Sequence, residues 1–362
     1  MSNKLRRLAL GALAAMLAAC QPASAGFLDE VGSVGEEQIK EKEELRKMQS
    51  EIDDIKGTVG GAMQQLRQLN DQAQAQQSQN LKEVHLFARE GNWQIREGEN
   101  VSCLTYNSKI PGPVIHAVQG DPVKIVLHNQ MKTSTSLYFH GLNAPHGVNG
   151  LPRSGQGLVE PGQTFVYQFV AGDPGTYWYH PHIVHADQRL RGLFGVLIIE
   201  PRLKSRGADM DLPLVFSRMQ IKKETVKPAK GAPSTVLKAV AGAGESHYLI
   251  NGKEAPMIPP LELRRGARVK LRLINAGDEA VPLHLSGHKL ELTSINGGDR
   301  LEPHVFRDTF TLQPSDSVDA EFQASNPGVW SLASELFHQS SRDGRFPGGM
   351  AMIVRYSEAK VK

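Results

Sequence analysis

The chain has 362 residues, of which 40% are hydrophobic and 22% charged, and a formal net charge of +3. This length and composition fit a globular protein of about two domains, each large enough for its own core. The +3 comes from Lys4, Arg6 and Arg7 in the first nineteen residues; without them the formal charge is zero, which argues against a nucleic-acid partner.

The N-terminus predicts export. Basic residues at 4, 6 and 7 precede the small and apolar run Leu8 to Ala19, which is too short for a membrane span. Two processing patterns fit within residues 1–25. In Leu17-Ala18-Ala19-Cys20, the bacterial lipoprotein pattern, Cys20 is lipidated and anchors the chain to a membrane; in Ala23-Ser24-Ala25, cleavage precedes Gly26. Either predicts a periplasmic protein, tethered to the outer membrane in the first case. With Cys20 acylated or removed, Cys103 has no disulfide partner and reads as a small buried hydrophobe.

Residues 34–80 are rich in Glu, Lys and Gln and lack proline and aromatics. Leu45, Met48, Ile52, Ile55, Val59, Ala62, Leu66, Leu69 and Ala73 follow an unbroken three-four spacing, the pattern of an oligomerising coiled coil. Gly57, Gly60 and Gly61 weaken it, and a polar linker with incidental helicity is the alternative. Residues 74–80 read as a flexible hinge.

From residue 82 the texture is β: short segments such as Pro122–His128, Thr164–Phe169, Gly195–Glu200, Arg268–Ile274, His288–Ile295 and Val318–Phe322, separated by Gly, Pro, Asn and Asp. A break at Pro201–Asp211 separates domains at 82–203 and 209–358. The two look like a diverged repeat. Gly120-Asp121-Pro122-Val123-Lys124-Ile125 answers to Arg265-Gly266-Ala267-Arg268-Val269-Lys270-Leu271, and Pro174-Gly175-Thr176-Tyr177-Trp178 to Pro327-Gly328-Val329-Trp330. The fold class expected is all-β, with two tandem sandwiches preceded by a helical segment.

Histidine carries the functional signal. In His180-Pro181-His182 the two imidazoles, two residues apart on a strand, share a face. His140 lies in Leu137-Tyr138-Phe139-His140-Gly141, and His284 in Pro282-Leu283-His284-Leu285-Ser286-Gly287-His288. Imidazole clusters suit copper, zinc, iron or nickel.

Thr176-Tyr177-Trp178-Tyr179-His180-Pro181-His182, followed by Gln188, Gly192-Leu193, Gly195 and Leu197-Ile198-Ile199-Glu200-Pro201, resembles the second copper motif of the multicopper oxidases. The segments around His140 and His284, with Asn326-Pro327-Gly328-Val329-Trp330 and Gly349-Met350, resemble the family's other motifs in order over about residues 82–356. The resemblance implies cupredoxin-like Greek-key domains, as in two-domain laccases and copper nitrite reductases, with copper as cofactor. It makes His140, His180, His182 and His284 metal ligands. Tyr138 and Ser286 stand where the family has histidine, Val281 replaces a blue-copper histidine, and Ala333-Ser334-Glu335 replaces the final His-Cys-His, with His338 one position short. Blue copper requires a cysteine thiolate, so the long-range electron entry of laccases is not expected.

His140, His180 and His284 correspond to the three ligands of the catalytic copper in nitrite reductases, leaving a position open for a small molecule. His182 is a fourth ligand or part of a second metal site. Tyr138 is a catalytic candidate, as hydrogen-bond donor or phenolate, or else an aromatic packed over the site. His185, His288 and Ser286 are candidate supporting groups around the ligands. His85, His116, His128, His146, His247 and His304 match no ligand motif and read as structural or solvent-facing. The resemblance further implies a homotrimer in which His284 comes from a neighbouring chain, and a coiled-coil stalk would hold such a trimer together. The leading expectation is an exported copper-dependent oxidoreductase acting on a small-molecule substrate or electron donor. The alternatives are a copper-buffering protein without turnover and a metal-free scaffold for protein contacts.

Overall fold

The structure, a computed structural model, describes residues 36–79, 81–145, 148, 158–182, 186–203, 207–226, 234–299 and 304–357. The leader with Cys20, and His146 and His185, lie outside the described residues. The chain divides into two compact units, 1–75 and 76–362.

The first unit is built on one α-helix, α1 (Glu36–Gln79). It runs unbroken through Gly57, Gly60 and Gly61 and through the segment expected as a hinge. Residues 62–79 contain no glycine or proline, and Gln and Ala are good helix formers, so nothing local ends the helix there. Leu45, Met48, Ile55 and Leu66 of the heptad seam are each more than half exposed. No helix among the described residues is long and apolar enough to cross a membrane.

The second unit is all-β. The first half contains β1 (Lys82–Arg96), β2 (Glu99–Tyr106), β3 (Ile115–Val118), β4 (Pro122–Asn129), β5 (Tyr138–His140), β6 (Thr164–Val170), β7 (Gly175–His180) and β8 (Gly195–Glu200), with a short helix α2 (Ala186–Leu190) before β8. The second half contains β9 (Met210–Val226), β10 (Ser234–Val240), β11 (Glu245–Ile250), β12 (Leu261–Leu263), β13 (Arg268–Asn275), β14 (Val281–Leu285), β15 (Leu290–Ile295), β16 (Gly298–Asp299), β17 (Val305–Arg307), β18 (Thr309–Leu312), β19 (Ser317–Gln323), β20 (Val329–Ser334), the short helix α3 (Phe337–Ser340) and β21 (Ala351–Tyr356). The expected strands are present with ends shifted by two residues at most.

One large sheet, β16-β15-β19-β13-β9-β10-β2-β1-β4-β6, passes through both halves, joined where β10 pairs in parallel with β2. Its β1-β4-β6 end faces the four-stranded sheet β3-β8-β7-β5 across a core that includes Leu86, Ile125, Leu127, Phe139, Tyr167, Tyr179 and Leu197. Its β9-β13-β19 portion faces the five-stranded sheet β12-β21-β20-β14-β18 across a core with Leu214, Leu271, Leu273, Leu283, Leu285, Val318 and Leu332. These are the two sandwiches expected from the repeat.

Strand alternation then generates a third core between the sandwiches. On β7, Tyr177 and Tyr179 point into the first sandwich, so Thr176, Trp178 and His180 point out of it. On β9 and β13, Leu214 and Leu273 point into the second sandwich, while Val215 and Ile274 point out. Trp178, Val196 and Ile198 meet Val215, Met219 and Ile274 there. Polar groups fix the register of this docking. Arg272, 4% exposed, grips Asp211 with Nε and Nη2 at 2.6 and 2.7 Å and donates to Thr176 Oγ1 at 2.9 Å. Thr176 in turn donates to Asp319 at 2.5 Å, and Ser317 Oγ to the Thr176 carbonyl at 2.9 Å.

Candidate metal centre

The antiparallel register of β5 and β7 sets Tyr138 opposite His180 and His140 opposite Trp178. Directly paired residues share a face, so Tyr138, His140, Trp178 and His180 form one cluster on the side of the sheet turned away from the first core. His180 Nε2 lies 3.4 Å from His140 Nδ1. The indole of Trp178 stacks on both rings, 4.0 Å from His180 and 5.2 Å from His140 between centroids, and its Nε1 donates to Ser315 O of the second sandwich. Tyr138 meets His140 and His180 edge-on at 5.6 Å and His182 at 4.4 Å.

The imidazoles are prepared as neutral groups. His180 Nδ1 donates to Pro181 O at 2.9 Å, which leaves the lone pair on Nε2, the atom that faces His140. Burial pushes the His180 pKa down to about 3, and the charge of Arg189 adds to the shift. His140 and His182 are also lowered, chiefly by burial. Arg189 sits on α2, with Nη1 donating to Ala276 O and Gly277 O of the second sandwich. Gln188 anchors α2 by accepting from Thr135 Oγ1 and donating to Ser134 O. Among the described residues, His182 Nδ1 is buried without a hydrogen-bond partner.

His284 is elsewhere. On β14, Val281, Leu283 and Leu285 point into the second core, so His284 points out through the five-stranded sheet. That face lies on the far side of the second sandwich from the first. Its Nδ1 bonds to Thr309 Oγ1 at 2.8 Å, and Ala333 occupies the opposing position on β20. Ser286 bonds to Ser331 at 3.2 Å. His288 is buried, with Nε2 on Tyr356 and Nδ1 on Ser286 O. Within one chain, then, His140 and His180 are brought together, His182 lies beside them across Tyr138, and His284 and His288 are apart. Among the described residues no three His, Cys, Asp or Glu side chains converge on one metal position. The roles of Trp178 and Arg189 were missed by motif reading; the alternation Thr176-Trp178-His180 carries the signal for the first.

The positions of the lost motifs are filled by structure. Val281 is in the second core, Ser334 donates to Gln339 Oε1 at 2.7 Å, and His338 is exposed near Glu279. Cys103 lies in the interdomain core, and burial pushes its thiol up to about 12, so it stays protonated.

Comparison with known proteins agrees with this architecture. The family description "Multicopper oxidase" matches residues 88–204 and again 226–342. The multicopper oxidase MmcO of Mycobacterium tuberculosis is 29% identical over 224 residues, covering 55% of this chain and 44% of that protein. The multicopper oxidase mco of Staphylococcus aureus is 30% identical over 60% of this chain and 48% of its own length. The blue copper oxidase of Nitrosomonas europaea superposes with a TM-score of 0.66 at 26% identity, covering 76% of this chain and 86% of that one. The chain belongs to the multicopper oxidase superfamily. It spans less than half the length of these two curated relatives.

Members of this family use copper cofactors, and the residues present fit a histidine-only copper centre. Two nitrogens bound at about 2.0–2.1 Å to one tetrahedral ion are about 3.3 Å apart, and His140 and His180 present theirs at 3.4 Å. The fixed tautomer of His180 and the orphaned Nδ1 of His182 point the same way. The residues do not fit a blue-copper centre, because the family's cysteine position is occupied by serine and the chain's described thiol is buried in a different core.

Proposed function

We propose that this protein is an exported, copper-dependent oxidoreductase that handles a small molecule directly at a histidine copper site, without a blue-copper relay. The observation that carries the reading is the 3.4 Å approach of His180 Nε2 to His140 Nδ1, backed by a tautomer-fixing bond. Bound copper would supply an open coordination position and a one-electron couple. The chain's own residues do the rest. His140 and His180 hold the ion, Trp178 fixes both rings by stacking, and the second sandwich keeps water from their inner side. Tyr138, half-buried over the three imidazoles, is placed to donate a hydrogen bond to a ligand.

His284 completes the site from a neighbouring copy. Its outward position cannot serve its own chain's pair, whereas the outer face of the five-stranded sheet, small-sided around His284 (Ser286, Thr309, Ser331, Ala333), admits another copy's first sandwich. A closed ring would complete every site alike, the resemblance to two-domain relatives makes that ring a homotrimer, and the exposed seam of α1 would be its stalk. The export segment, and lipidation at Cys20 if it is processed there, would put the protein in the periplasm, held at the outer membrane. A copper-buffering protein without turnover is the second reading, favoured by the convergence of no more than two imidazoles among the described residues.

Copper content per chain of the loaded full-length protein, with its electron paramagnetic resonance spectrum, tests this. We expect about one copper per chain, a wide hyperfine splitting and no blue colour, and loss of that copper in His180→Ala. Full copper stoichiometry in His180→Ala would overturn the site, and tight loading with no exchangeable water on the metal would favour the buffer.

A further inference from the structure

We infer that the first sandwich carries a second, solvent-facing metal site, formed by His85 and His128, that takes a late first-row divalent cation, Cu2+ in preference to Zn2+. It lies on a different sheet from His140 and His180 and does not depend on the function proposed above.

β1 and β4 run parallel, with Phe87 opposite His128 and His85 opposite Val126, and β4 sets His128 opposite Thr164 of β6. Leu86, Ala88, Ile125 and Leu127 point into the core, so His85, Phe87 and His128 stand on the outer face. There His85 Nδ1 and His128 Nε2 face each other at 2.9 Å, with the rings within 15° of one plane. Each far nitrogen is already engaged. His85 Nε2 is 3.3 Å from the Glu83 carboxylate, which Lys124 holds at 3.2 Å, and His128 Nδ1 is 3.1 Å from Thr164 Oγ1. Phe87 stacks on His128 at 4.5 Å and steadies the ring.

This is how metal-bound histidines are held: one nitrogen toward the ion, the other oriented by a carboxylate or another polar group. The hydrogen bookkeeping closes. In the free pair one facing nitrogen donates to the other across 2.9 Å; when an ion binds, the His85 hydrogen would sit on Nε2, beside the Glu83 carboxylate, and leave a lone pair on Nδ1. With the His128 hydrogen on Nδ1, accepted by the Thr164 oxygen, both facing nitrogens would then be bare toward the ion that replaces the bond between them. No net proton need be lost. The 2.9 Å separation is the span of two nitrogens bound at about 2.0–2.1 Å and at right angles to one another, as in tetragonal Cu2+. The side chain of His85 is 48% exposed, so its ring has solvent on one side into which it can turn its lone pair out of the line between the rings and onto an ion, with water in the remaining positions. With nitrogen ligands Cu2+ binds more tightly than Zn2+.

The test uses the full chain in the His140→Gln/His180→Gln background, so that loss of the first centre and loss of this one are read separately. Zn2+ is titrated while the histidine ring resonances are followed, and Cu2+ binding is measured by calorimetry. We expect one ion per chain, with the rings of His85 and His128 shifting together. Affinity should fall at least tenfold in His85→Gln and in His128→Gln, and about tenfold in Glu83→Gln. Unmoved His85 and His128 resonances at millimolar Zn2+ would overturn the site, as would unchanged affinity in the two histidine variants. The resonance measurement needs no substitution at the site, so it decides the matter even if a variant fails to fold.

Discussion

The two sandwiches share a plan but dispose of their outer sheets in opposite ways. In the first, the face bearing His140, Trp178 and His180 is closed by the second sandwich, and His180 is only 8% exposed. In the second, the corresponding ligand-bearing face, with His284 on β14, is left half-exposed and lined by small side chains. In the proposed centre a buried pair and an open single imidazole would be complementary halves. The difference teaches that the second sandwich does two jobs with two faces: one buries its own chain's histidines, and the other offers a ligand outward.

The largest effect expected is on that division. His284→Ala and His140→Ala should each lose the copper of the proposed centre, yet a refolded mixture of the two should regain part of it. In mixed oligomers some sites pair an intact His140 and His180 with an intact His284 of the neighbour. Copper per chain after mixing checks this; no recovery, in a mixture whose mass shows exchange, would place all ligands within one chain.

Next is the docking of the two halves. Arg272→Met leaves Asp211 without its guanidinium and Asp319, 2% exposed, with Lys270 as its cation. Breaking one partner out of a buried ionic network costs about 3–5 kcal/mol, to be read from denaturant unfolding. Lys270, 2.9 Å from Asp319, keeps the loss from being larger. A change under about 1 kcal/mol would mean that the third core alone holds the sandwiches together.

Period-two alternation and the repeat of turn motifs were enough for two sandwiches, and the family resemblance located all four ligand candidates. Their grouping, with His284 expected on a neighbouring chain, came from the resemblance alone and not from the residue pattern. Whether His284 points toward or away from His180 depends on which side of the second sandwich docks, and that is decided by Val215, Ile274 and Arg272, which are unremarkable as a pattern. The His85–His128 approach was invisible for a similar reason: it needs the parallel pairing of β1 with β4, forty-odd residues apart, in one particular register. The hinge expected at 74–80 rested on composition, whereas helix continuation there needs only the absence of a breaker.

A smaller effect comes from the dryness of the first face. The His180 pKa in the folded chain, about 3, lies below its ordinary 6.5, so the unfolded chain takes up the proton first as pH falls. Stability of the metal-free protein is therefore undiminished by this group above pH 6.5 and should fall by about 1.4 kcal/mol per pH unit between 6.5 and 3. His180→Gln should flatten that slope by one proton's worth. An unchanged slope would mean that water reaches the pair and that the contrast between the two faces is weaker than the packing indicates.

The smallest effect should come from Cys103, and it sharpens the comparison from the other side. Its thiol is 2% exposed in the core between the sandwiches, in the company of Ile95, Val101 and Trp178, and burial holds it protonated. A protonated thiol in an apolar core acts as a small hydrophobe, so Cys103→Ala should cost on the order of 1 kcal/mol through the lost sulfur contacts. Copper content and the electron paramagnetic resonance spectrum should not move, and alkylation of the wild-type thiol should await unfolding. A changed spectrum in Cys103→Ala would show that the dry face between the sandwiches tunes the metal as well as burying its ligands, because Trp178 belongs to the same core and stacks directly on His140 and His180.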